Sequence, residues 1–153
     1  MQTASKFRSE KGAELIEFAL TLPLILLLCL GVIEFGRAYY TYNILAKAVR
    51  DGARYLSTGM VTSTGTIDST IATQTRNVVV YGAVTNTGTP ILPDLATGQV
   101  SLPAPTVVSP SEQYVTVSVN YPYVPLFRAV MPSTLTLSPK VTMLFVGRIA
   151  YPS

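Results

Sequence analysis

Few residues in this chain of 153 have side chains that do chemistry, and their inventory limits what the protein can be. There is no histidine and only one cysteine, which excludes His-based triads, His-ligated metals, CxxC clusters and disulfide frameworks. Beyond Gly59 the acids are Asp68, Asp94 and Glu112, and the bases include Arg76, Arg128 and Lys140. Two carboxylates working as general acid and base need a spacing that brings them together, and these positions offer none. Nor do they make an EF-hand or another metal-ligand pattern. The expectation is a protein that is not an enzyme, with no cofactor and no metal. With 48% apolar residues, 12% charged residues and a net charge of +3, both a disordered chain and a polybasic nucleic-acid binder are excluded. One carboxylate is oddly placed: Glu17, with Glu14 just before it, stands at the start of a long apolar run.

That run positions everything else. Ala13 to Ile33 reads AELIEFALTLPLILLLCLGVI, about 31 Å of helix at roughly 1.5 Å per residue, which is enough to span a bilayer. From Phe18 to Ile33 it carries no charge, whereas a surface helix of a small soluble protein shows a polar face. Membrane lipid is therefore an expected partner. A secretory signal would end in a small-residue cleavage site after the apolar stretch, but EFGRAYYTYN follows instead and the helical pattern continues. The short basic piece that is open to removal precedes the run: MQTASKFRSEKG, with Lys6, Arg8 and Lys11 against Glu10.

A cut after Gly12 makes Ala13 the first mature residue and leaves Glu17 four positions further on, followed by Phe18. The pattern GAELIEF resembles the class III signal of type IV pilin-like proteins, and the longer stretch GAELIEFALTLPLILLLCLGVIEFGRAYYTYNILAKAVRDGARYLSTG resembles the opening of TadE-like pseudopilins of tight-adherence (Flp-type) pilus systems. The resemblance runs from about Lys11 to Gly59. It implies cleavage between Gly12 and Ala13 by a prepilin peptidase. It also implies helix assembly through Glu17 and Phe18, and other pilins, pseudopilins and pilus assembly proteins as partners. It further implies an inner-membrane, single-pass placement with the C-terminal part extracytoplasmic, and a part in adhesion. The function that follows is that of a minor pseudopilin or assembly subunit, which either enters the filament, initiates it or stays in the membrane complex. The rival is an uncleaved, single-pass anchored scaffold or binding protein, which would share the helix and the head.

Two readings of Glu17 stand. In one, Glu14 and Glu17 reach into the headgroup zone at the helix start, where negative charge suits the macrodipole. In the other, implied by the pilin resemblance, Glu17 pairs with the freed amine of Ala13 on its own or a neighbouring subunit, cancelling two charges that filament packing would desolvate. Pro23 removes a backbone hydrogen bond inside the span, either as a tolerated proline helped by hydroxyls such as Thr21 or as a hinge. Cys29, among leucines, reads as a small apolar packing residue.

Three segments are expected: a leader, 1–12; a transmembrane and then amphipathic helix, 13–57; and an exported α+β head, 58–153. In the outer half of the helix Ala38, Tyr42, Leu45, Val49, Gly52 and Leu56 form one face, which is expected to pack on a small sheet. Asn43, Lys47, Arg50 and Arg54 form a polar stripe, Arg37 is spaced to meet Glu34, and Tyr39, Tyr40 and Tyr42 suit a membrane interface. Gly59 is expected to close the helix in the left-handed conformation, before a Ser/Thr-rich loop to Gly65. A short second helix to about Val80 follows, capped by Thr66, stopped by Gly82 and facing inward with Ile67, Ile71, Gln74 and Val78. Residues 83–113 read as loop with one short strand at Gln99 to Leu102. Two strand regions come last: Tyr114 to Tyr121, with Val115, Val117 and Val119 on one face, and Thr134 to Val146, broken near Pro139. The fold class is α+β, with a small antiparallel sheet covered by the helices.

Overall fold

The computed structural model describes residues 4–62, 65–109, 112–127 and 133–150. Met1 to Thr3 of the expected leader, and Arg128, lie outside the described residues. The architecture is α+β: a long helix α1 (Ala4–Ser57), a shorter α2 (Ser69–Tyr81) and a small, mainly antiparallel sheet system. The chain divides into two units. One contains the first part of α1, through Ala38, with the described residues 125–127 and Ser133; the other contains the rest.

In the first unit the apolar stretch of α1 is exposed on every side. Leu15, Ile16, Phe18, Leu20, Leu24 to Leu28, Val32, Ile33 and Phe35 all lie open. Cys29 is exposed among them. A helix apolar all round, with none of its most apolar window buried, is long and apolar enough to cross a membrane, and among the described residues no other helix is.

In the second unit α1 becomes one-sided because its residue pattern does. Leu45, Val49, Ala53 and Leu56 are fully buried, while Asn43, Lys47, Arg50 and Arg54 face out as their spacing predicts. Tyr42 departs from the expected inner face and is exposed. Gly52 meets α2 closely, since a Cβ there would overlap the Val79 side chain. The helix end also differs from expectation. Gly59 is not in the left-handed region. Its amide and that of Thr58 bond back to Leu56 and Tyr55, and the Ser57 and Thr58 hydroxyls donate to the Arg54 carbonyl, so a tightened last turn satisfies the end without a left-handed glycine.

The expected loop after Gly59 contains strand β1 (Met60–Thr62), paired in parallel with β8 (Arg148–Ala150). Gly147 makes this approach feasible, because a Cβ on it would collide with the Gly59 carbonyl oxygen. α2 is capped by Asp68 rather than Thr66: its carboxylate accepts the Thr70 and Ile71 amides at 2.9 and 3.2 Å. Gly82 closes α2 with φ +70° as expected. Its buried residues, however, are Thr75, Asn77, Val79 and Val80, not the Ile67, Ile71, Gln74 and Val78 set. Ile67 lies before the helix, in a bridge to Val61, and the buried face of α2 is rotated accordingly.

The sheet centres on β4 (Glu112–Val119), whose Val115, Val117 and Val119 are fully buried. It pairs on one side with β2 (Val100–Ser101) and β3 (Thr106–Ser109), and on the other with β7 (Lys140–Leu144). β3 belongs to the stretch expected to be loop apart from β2. β4 continues past Asn120 into β5 (Tyr121–Tyr123), which pairs with β6 (Leu135–Leu137). The break at Pro139 separates β6 from β7, and the Pro139 carbonyl accepts the Val119 amide at 3.2 Å.

An aspartate at Leu45 would bury an unpaired charge and should cost about 3 kcal/mol or more, while Asn43→Asp should stay within about 0.5 kcal/mol. The urea midpoint for proteolysis of the head, measured on the full chain in detergent, should fall for Leu45→Asp alone. Equal midpoints would overturn the facial assignment.

Candidate functional site

The residues of the expected processing and assembly site follow one another along α1. Gly12 is half-buried, while Ala13, Glu17 and Phe18 are exposed. Ala13 and Glu17, four apart, share a helix face. Apart from its chain neighbours and the helix's own backbone, no described atom lies within 4 Å of where a Gly12 Cβ would stand, so packing among the described residues does not demand glycine there. The Thr21 hydroxyl donates to the carbonyls of Glu17 at 3.0 Å and Phe18 at 3.2 Å. Those are not the carbonyl that Pro23 deprives of a donor, which belongs to Ala19, so Thr21 does not repair that loss.

The charge that ends the apolar run is more deeply committed. Glu34 is fully buried, although Val32, Ile33 and Phe35 beside it are exposed. Its carboxylate accepts the Leu126 amide at 3.3 and 3.2 Å through its two oxygens, and the Phe127 amide at 3.3 Å. Arg37, three residues on, donates to both oxygens at 3.1 and 3.3 Å, as the spacing predicts, with its own side chain half exposed. Burying a carboxylate costs several kcal/mol unless charge and hydrogen bonds compensate it, and here both do. The result is a clamp: one side chain at the end of the apolar stretch holds the backbone of the 125–127 loop. The sequence offers the Glu34–Arg37 pair but no sign of a partner 92 residues away.

Two acids of the head have structural work. Asp68 caps α2, and Glu112 accepts the Tyr114 hydroxyl at 2.9 Å, a bond that raises the phenol's pKa above its ordinary value. Asp94 stands in a turn with φ +60°. Burial, and then the charge of Asp94, raise the pKa of Tyr121, whose hydroxyl donates to the Pro93 carbonyl at 2.9 Å. Because the unfolded phenols would ionise first, these tyrosines reduce stability only as pH rises through and above about 10. A shallow cleft on the head is lined by Ile44, Lys47, Ala48, Asp51, Val78 and Ile91, with a single acid.

Removing the clamp should free the loop. In Glu34→Ala the amides of Leu126 and Phe127 lose a charged acceptor worth about 1.5 to 3 kcal/mol, so their hydrogen exchange should speed by roughly tenfold to a hundredfold. Exchange unchanged at both amides would mean that the carboxylate does not hold the loop.

The family model described as TadE-like protein matches residues 12–54. Comparison with curated proteins and with solved structures gives no match. The matched segment contains Gly12, Ala13, Glu17, Phe18, Glu34 and Arg37 and stops short of the strands. Over residues 12–54, then, the chain is similar to TadE-like proteins, and the resemblance carried by its motifs and the family match fall on the same helix.

Proposed function

We propose that this protein is a minor pseudopilin or assembly subunit of a Flp/Tad-type pilus, with no enzymatic activity of its own. The observation that carries the reading is the TadE-like match on a helix whose apolar half is unburied in its own chain. In this reading a prepilin peptidase cuts between Gly12 and Ala13. The apolar helix then sits in the inner membrane and packs with those of other pilins or pseudopilins, and the head projects outside the cell, where the pilus supports adhesion. Glycine at position 12, unneeded by the chain's own packing, suits a backbone that a peptidase must approach closely. The exposed ring of Phe18 and the face shared by Ala13 and Glu17 are surfaces for a neighbouring helix.

Processing gives the first test. The mature protein should begin at Ala13, and Gly12→Phe should leave a precursor heavier by the leader, both read by intact mass. A mature protein beginning at Met1 would favour the uncleaved anchored scaffold, and one beginning beyond Ile33 would remove the membrane helix altogether.

Glu17 gives the second. As the partner of the Ala13 amine it leaves that amine unpaired when changed to glutamine, a loss of about 3 to 5 kcal/mol in a desolvated packing environment. Glu17→Gln should therefore be cleaved and inserted normally yet lose co-purification with other pilus components. Undiminished association at matched membrane levels would leave Glu17 only an anchoring role.

A further inference from the structure

Leu126 stands out because its backbone is held while its side chain is open. It is 65% exposed, between buried Pro125 and half-buried Phe127, and its amide is bonded to a fully buried carboxylate. That carboxylate is the first charge after the uncharged run Phe18 to Ile33, so the loop is fixed at the boundary of the apolar helix. The helix residues flanking the boundary, Val32, Ile33 and Phe35, are also exposed and apolar.

We infer that the Pro125–Phe127 loop is a second lipid contact: Leu126 enters the interface between headgroups and acyl chains at the Glu34 end of the span. The inference rests on the reading that the apolar half of α1 crosses a bilayer, and it is independent of processing and pilus assembly. Two features favour lipid over water or a protein partner. An irregular loop at the edge of hydrocarbon must have its backbone donors satisfied within the protein, and Glu34 does this for the amides of Leu126 and Phe127. Leu126 is also exposed and tied to Glu34, whose helix neighbours Val32, Ile33 and Phe35 are exposed and apolar, so the medium that covers those residues is at hand to cover Leu126. Glu34 then has a positioning role: it sets the depth of the loop by tying it to the helix.

The chain has no tryptophan, so Leu126→Trp introduces a single reporter. The full chain is reconstituted in phosphatidylcholine/phosphatidylglycerol vesicles carrying nitroxide-labelled lipid. Two reference variants accompany it: Leu26→Trp inside the span, and Val108→Trp on the exposed edge of β3. The loop indole of Leu126→Trp should emit to the blue of the strand indole of Val108→Trp. It should also be quenched by nitroxide near the headgroups more than by nitroxide deep in the acyl chains, and resist aqueous iodide. Adding Glu34→Ala should raise the iodide quenching of the loop indole severalfold, while the same change in the Leu26→Trp variant should leave the span indole unaffected. Iodide quenching of the loop indole equal to that of the strand indole would overturn the inference. So would shielding from both iodide and lipid nitroxide, which would place a protein partner on the loop. If the span indole itself escapes lipid quenching, the span reading fails and the loop contact with it, whereas a lipid-quenched span indole beside a water-exposed loop indole refutes the loop contact alone.

Discussion

The constraint on which this structure depends is the uncovered apolar surface of the first half of α1. Burying a leucine, isoleucine or phenylalanine side chain is worth about 1.5 to 3 kcal/mol, and more than ten such side chains here find no cover in their own chain. By length and composition the helix could find that cover in a lipid bilayer. Along the same helix the pattern changes, from apolar all round to a buried face opposite the stripe Asn43, Lys47, Arg50 and Arg54. Glu34 lies where the pattern changes. Placed among exposed apolar neighbours, it would be an expensive charge, and the amides of Leu126 and Phe127, with Arg37, turn it into a fixed point for the loop.

Features governed by local periodicity are legible in the sequence. The long apolar helix, the polar stripe, the alternation of Val115, Val117 and Val119, the break at Pro139 and the stop at Gly82 all follow from spacing within a few residues, and the structure places each as expected. Features governed by contacts distant along the chain are not. β1 exists because it pairs in parallel with β8, nearly the whole head away in sequence, and a Ser/Thr-rich stretch gives no local sign of that. β3 lies in a proline-rich segment and is held by β4. Thr66 and Asp68 are both competent caps of α2 by type, and only the bonds to Thr70 and Ile71 decide for Asp68. At the candidate site, Gly12, Ala13, Glu17 and Phe18 are readable as a motif, whereas Glu34 is readable only as half of an ion pair.

The division of labour that results suits a subunit whose helix and head answer to different partners. The TadE-like match covers the helix and ends before the strands, so what this chain has in common with that family lies in the part proposed to pack in the membrane. In the head, the Asp68 carboxylate caps α2 and that of Glu112 accepts the Tyr114 hydroxyl. The clamp at Glu34 fastens the backbone of Leu126 and Phe127 to the end of the apolar stretch.

The central claim is that the apolar half of α1 crosses the inner membrane and leaves the head outside. Its most direct test is the sidedness of one residue in the head. Gly98 is exposed, with nothing described within 4 Å of where its Cβ would stand, and Cys29 is the lone native thiol. Gly98→Cys in a Cys29→Ser background can be treated with a membrane-impermeant maleimide on spheroplasts before and after lysis. The account predicts full labelling of intact spheroplasts with no gain on lysis. Labelling that appears only after lysis would place the head in the cytoplasm and contradict it.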